Sequence, residues 1–203
     1  MQLFLTSSGW KVLPKIVSYL SQSPSNLRVA FIPTAANLYK EQPWVDEDRN
    51  KLLELGFIVS NLDLENNTSE NIILFLKDKD IIFVAGGNTF YLLEQAQKSG
   101  FEEVVKEWVD DNKVYIGSSA GSVIAGPDIE SVAVFDDRKE ANLRSTRGFN
   151  FIDSVILPHY SNKEFKKYNE DVIEKFKNRY KFTLLTDQQF VKVNGKDQEI
   201  VEV

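Results

Sequence analysis

The 203-residue chain contains no cysteine and only one histidine and one methionine. Without cysteine there are no disulfides and no thiolate metal ligands, and one histidine is too few for the usual zinc clusters. No metal is therefore expected. Basic residues are also in the minority: 24 Lys and Arg stand against 30 Asp and Glu, for a net charge of −6. No Lys/Arg block alternates with aromatics as a nucleic-acid groove would require, so nucleic acid is not an expected partner. No stretch approaches the roughly 18 apolar residues of a membrane span. Residues 1–6 lack the basic start and the apolar length of a signal peptide. These absences predict a cytoplasmic protein that does not engage a membrane.

What is present is globular in composition, with 42% hydrophobic and 27% charged residues. The length suits one domain over residues 1–203. Short β-rich runs alternate with longer amphipathic segments: 3–6 then 11–20, 29–32 then 45–55, 58–62 then 70–76, and 81–84 then 89–96 and 101–110. Residues 114–116 follow as a further strand. This rhythm predicts a three-layer α/β/α domain with a mainly parallel sheet and helices on both faces. Beyond Ile124 it breaks. Residues 126–148 are polar and charge-rich, 151–157 form an expected strand leading to His159, and 163–180 an expected charge-laced helix. The tail at 182–186, 190–193 and 199–203 predicts β-structure, with Asn194-Gly195 as a hairpin turn.

Chemistry concentrates where Val114-Tyr115-Ile116 runs into Gly117-Ser118-Ser119-Ala120-Gly121. A strand ending in G-x-S-x-G and passing into a helix has the pattern of a nucleophile elbow, whose serine hydroxyl is exposed on a strained turn. A serine hydroxyl needs a base to take its proton, and the one imidazole, His159, lies 40 positions on. A second glycine site, Ala85-Gly86-Gly87-Asn88-Thr89-Phe90, ends another buried-type strand at the same sheet edge, where open parallel sheets gather ligands. One N–H from this turn, with that of Ala120, would make a two-donor oxyanion hole. Alternatively the turn only joins strand to helix, with Asn88 as its N-cap.

These motifs, followed by Leu157-Pro158-His159-Tyr160, resemble in order and approximate spacing the α-aspartyl dipeptidase (peptidase E) family of serine peptidases, relatives of the cyanophycinases. The resemblance implies a class I glutamine amidotransferase-like (flavodoxin-like) fold. It also implies Ser119 as nucleophile, His159 as general base, Gly87 and Ala120 as oxyanion hole, a small peptide with an N-terminal aspartate as substrate, and no cofactor. The family's acid about fifteen residues after the serine falls here on Val134. Counting back from the histidine instead gives Asp137, with Asp136 as the alternative, and Asp137 is expected to accept the proton of the imidazole Nδ1. An aspartyl substrate calls for a cation, for which Arg138, Arg144 and Arg147 are candidates, with Asn88 as a further substrate contact. The oligomeric state is left open between monomer and homodimer. Two rivals remain: a small esterase, and a non-catalytic binding module on the same scaffold.

Overall fold

The computed structural model describes residues 1–111 and 113–203, with residue 164 described by its backbone alone. Five parallel strands form the centre of the sheet. They are β1 (Gln2–Thr6), β2 (Arg28–Ile32), β3 (Ile58–Asn61), β4 (Ile81–Val84) and β5 (Val114–Ser118), lying in the order β3-β2-β4-β5-β1. Two further strands, β8 (Gln189–Asn194) and β9 (Asp197–Glu202), extend the edge beyond β1 in antiparallel fashion. Their turn falls at Asn194-Gly195, where Gly195 has φ +61°, as a tight hairpin requires. A separate parallel pair, β6 (Ser154–Leu157) with β7 (Lys181–Leu184), stands outside this sheet.

The alternation of side chains along each strand fills two cores. Leu3 and Leu5 of β1 and Ile82 and Val84 of β4 face one side; Phe4, Ile81 and Phe83 face the other. Strands buried on both faces need helices on both, which is why these runs are apolar without polar interruption. One face carries α1 (Gly9–Val17) and α2 (Pro43–Glu54). The other carries α4 (Thr89–Ser99), α5 (Phe101–Asp110) and α6 (Ala120–Val123), with α3 (Ser69–Leu76) against α5. The three-layer architecture expected from the alternation is thus the observed one. The expected helix over 163–180 is α7 (Lys163–Phe176). No helix among the described residues is long and apolar enough to cross a membrane.

This topology sets up the functional edge. Strands β1, β4 and β5 are adjacent and parallel, so Thr6 pairs with Ser118 and Val84 with Gly117. The segments following all three strands therefore emerge side by side. The pair β6 and β7 delivers two more chain segments to that edge, with Leu157 opposite Leu184.

Candidate active site

Ser119 stands between β5 and α6 at φ 48° and ψ −109°, a strained conformation for a residue with a side chain. Several groups hold the turn in place. The Ser119 N–H donates to the Thr6 carbonyl at 3.0 Å, and the Ser122 hydroxyl donates to the Thr6 and Gly117 carbonyls at 2.7 and 2.8 Å. The buried Tyr115 hydroxyl donates to the Gly121 carbonyl at 2.6 Å. Gly121 is required by close approach: a Cβ there would lie 2.1 Å from the Val84 carbonyl oxygen. The spacing of glycines around the serine thus follows from how tightly the chain doubles back over β4.

The Ser119 Oγ lies 3.1 Å from His159 Nε2. His159 also sits on a positive-φ turn, at 59°, directly after β6. Its main-chain N–H donates to the Ser7 hydroxyl at 2.7 Å, which fixes the backbone from which the ring projects.

The carboxylate at the far side of the ring belongs to Asp187, whose Oδ1 is 2.7 Å from His159 Nδ1. This corrects the expectation for Asp137 and for its alternative, Asp136. The Asp137 side chain caps a short 3-10 turn by accepting the Lys139 N–H at 2.9 Å. The Asp136 carboxylate accepts the Thr89 N–H at 2.8 Å, at the start of α4. Val134 is an exposed residue, remote in role from either. The physical reason for the correction is the β6–β7 pair. Parallel neighbours bring the residues after Leu157 and Leu184 together, and the Tyr160 N–H donates to the Leu185 carbonyl at 3.0 Å.

Asp187 is held by three donors: His159, the Ser7 hydroxyl at 2.9 Å and the Lys11 ammonium at 2.9 Å on Oδ2. The hydrogen bond from His159 does most to hold its carboxyl well below the usual carboxylate range. Burial opposes this, and Lys11 and Ser7 add to the lowering. An ionised Asp187 accepts a hydrogen bond from Nδ1–H and so favours the tautomer whose Nε2 faces Ser119 as an acceptor.

Gly87 and Ala120, the expected oxyanion donors, both line the cavity at Ser119. Ala120 is the first residue of α6, so its N–H has no partner in a preceding turn. Gly87 has φ 148° and passes so close to the chain before α2 that a Cβ would lie 2.2 Å from the Ala35 carbonyl oxygen. Asn88 is engaged internally. Its side-chain oxygen accepts the Tyr91 N–H at 2.9 Å as N-cap of α4, and its amide donates to the Asp137 carbonyl at 3.1 Å. Arg138, Arg144 and Arg147 are exposed, and none lines a cavity that contains Ser119. Among the described residues, neither cavity wall contains an arginine or lysine for an aspartyl side chain, and Asn88 acts as a cap.

One buried acid went unremarked in the sequence. Asp48 of α2 is 2% exposed, accepts the Trp10 N–H at 2.7 Å and bonds the Ser118 side chain beside Ser119. Burial pushes its carboxyl up from 3.8 to about 7, against the lowering effect of those hydrogen bonds. A folded-state value above the unfolded one means that the folded chain binds the proton more tightly. The resulting stability is complete below the unfolded value and is lost as pH rises through about 7. Asp48→Asn, which keeps the oxygen facing Trp10, is expected to flatten this dependence. In urea unfolding at pH 5 and pH 8, the parent should lose roughly 3 kcal/mol more than the variant between the two pH values. Equal losses would contradict the assignment.

Among the described residues, no group of three or more His, Asp or Glu side chains is placed to hold a metal ion. The arrangement of Asp187, His159 and Ser119 suits proton transfer between Ser119 Oγ and His159 Nε2, with Asp187 orienting the ring.

Comparison with known proteins agrees with this geometry. An uncharacterized peptidase of Listeria monocytogenes (EGD-e) is 32% identical over 196 residues, 96% of this chain and 95% of its own. A peptidase E of Nostoc sp. is 26% identical over 85% of this chain and 71% of its own. The crystal structure of a Listeria monocytogenes EGD-e protein described as a candidate peptidase E superposes with a TM-score of 0.93 at 32% identity, covering 100% of this chain and 98% of that one. A peptidase from an acI-B1 actinobacterium shares the fold, with a TM-score of 0.71 at 20% identity. The profile of peptidase family S51 matches residues 3–201. With nearly its whole length matched, the chain belongs to peptidase family S51 and is a peptidase.

Proposed function

We propose that this chain is a serine peptidase that hydrolyses small peptides through an acyl-enzyme on Ser119. The observation that carries the reading is the hydrogen-bonded chain of Ser119 Oγ, the His159 ring and the Asp187 carboxylate, with spacings of 3.1 and 2.7 Å, opening on a cavity. On this reading the turn at Ser119 is a nucleophile elbow. Ser119 Oγ attacks the peptide carbonyl while its proton passes to Nε2, and the carbonyl oxygen becomes an alkoxide facing the N–H groups of Gly87 and Ala120. Two such preorganised donors contribute about 3 kcal/mol each to the transition state. His159 then gives the proton to the leaving amine as the C–N bond breaks, and a water deprotonated by the same ring hydrolyses the ester. Asp187 remains ionised, orienting the ring and stabilising the imidazolium.

The chain order of the array is Ser119, His159, Asp187. In α/β-hydrolases the acid precedes the histidine, so the order favours a peptidase of the matched family over the esterase alternative. A non-catalytic module would have no need of a strained serine held against an oriented imidazole. The test is active-site labelling. A fluorophosphonate should modify Ser119, identified by mass spectrometry of the digest, and the labelled protein should lose hydrolysis of a mixed dipeptide pool. Failure to modify Ser119 under conditions that label a control serine peptidase would overturn the reading.

A further inference from the structure

Two cavities meet at Ser119 and His159. The first, about 260 Å³, opens beside Ala120 between Tyr39, Val132, Phe135 and Phe165. The second, about 290 Å³, runs past Ser8 and Trp10 toward Asp48. Neither wall contains a lysine or arginine among the described residues. The ammonium nearest the catalytic array, that of Lys11, is committed to Asp187. Among the described residues, the first wall instead contains one carboxylate, Asp136, fixed at the start of α4 by the Thr89 N–H. Tyr39 lines the same cavity, and burial first and the charge of Asp136 second raise the pKa of its phenol.

An aspartyl side chain entering this space would lose hydration against aromatic rings, gain no counter-charge and face Asp136. A substrate ammonium would donate a charge-assisted hydrogen bond to the same carboxylate, and an apolar side chain would exchange water for the ring faces. The α-ammonium of a peptide's first residue is one bond from the Cα that also carries the scissile carbonyl, so it must lie near Ser119 whenever that bond is attacked. Resting on the serine-peptidase reading above, we propose that the cavity beside Ala120 receives an N-terminal residue with an apolar or aromatic side chain, that Asp136 holds its α-ammonium, and that aspartate is excluded.

The experiment compares Phe-Leu, Leu-Leu, Asp-Leu and N-acetyl-Phe-Leu as substrates, with amine release followed by chromatography. Ser119 labelling is scored in parallel as an independent reading of the nucleophile. The expected result is a kcat/KM for Phe-Leu and Leu-Leu at least tenfold above that for Asp-Leu and for the acetylated peptide. Asp136→Asn should lower kcat/KM for Phe-Leu at least tenfold, chiefly through KM, and leave the acetylated peptide unchanged. A preference for Asp-Leu, equal use of free and acetylated peptides, or an equal loss on both in Asp136→Asn would each overturn the proposal. So would labelled Ser119 with none of the four cleaved, whereas absence of labelling would overturn the peptidase reading itself. Should Asp136→Asn fail to fold because α4 loses its contact, the four-peptide comparison on the unaltered chain still decides.

Discussion

Ser119→Ala is expected to lower peptide hydrolysis by roughly 10³- to 10⁶-fold while the protein stays folded, because an activated nucleophile acts as a unit with its base and neither retains much effect alone. The Oγ contacts His159 Nε2 at 3.1 Å, and the main-chain bond from Ser119 to Thr6 survives the substitution. Alanine carries the same Cβ as serine, so the strain at φ 48° is unchanged. Circular dichroism and the thermal midpoint should therefore match those of the parent. Residual hydrolysis within tenfold of the parent, with product formation shown to need the purified chain, would remove Ser119 from the mechanism.

The second large effect is expected at Asp187. Asp187→Asn keeps the size of the side chain but presents an amide toward His159 Nδ1, so the ring favours the tautomer with its proton on Nε2, facing Ser119. The expected loss in kcat is about 10²- to 10⁴-fold with KM little altered. Asp137→Asn serves as the control. That carboxylate accepts only the Lys139 N–H of an exposed turn, and its loss should change kcat by less than about threefold. Steady-state kinetics of the two variants side by side decide between the two aspartates. A large loss at Asp137 with little at Asp187 would reverse the assignment made from the geometry.

Residues 182–186 read as a strand in the sequence, and Asp187 stands three positions beyond Leu184, the end of β7, as His159 stands two beyond Leu157, the end of β6. What the pattern of apolar residues does not carry is which strands become neighbours. Spacing carried over from the resembled family points to an acid between Ser119 and His159, at Asp137 or Asp136, and no apolar pattern redirects it to the end of β7. The candidate arginines failed for a related reason: Arg144 and Arg147 are close to the serine in sequence, yet the segment carrying them runs over the surface. Asp48 gave no signal at all, since one acid in an amphipathic helix is ordinarily solvated and only packing against Trp10 and Ser118 buries it.

The sequence by itself determined the layered α/β architecture, because strands buried on both faces must be apolar throughout and the helices between them must be apolar on one side. It also determined Ser119 and His159 as the pair to examine: one imidazole leaves no choice of base, and glycines at 117 and 121 are needed where the chain doubles back. Tertiary structure alone decided that Asp187 is the carboxylate at the ring and that, among the described residues, Asp136 is the one carboxylate lining the cavity beside Ala120 and no lysine or arginine lines it. Local pattern follows from the neighbours of a residue along the chain, and it is strong wherever burial repeats with the period of a strand or a helix. The chemistry of a site depends instead on contacts between residues far apart in sequence. The distances from His159 to Ser119 and to Asp187 are fixed by the pairing of β1 with β5 and of β6 with β7, which no local period encodes.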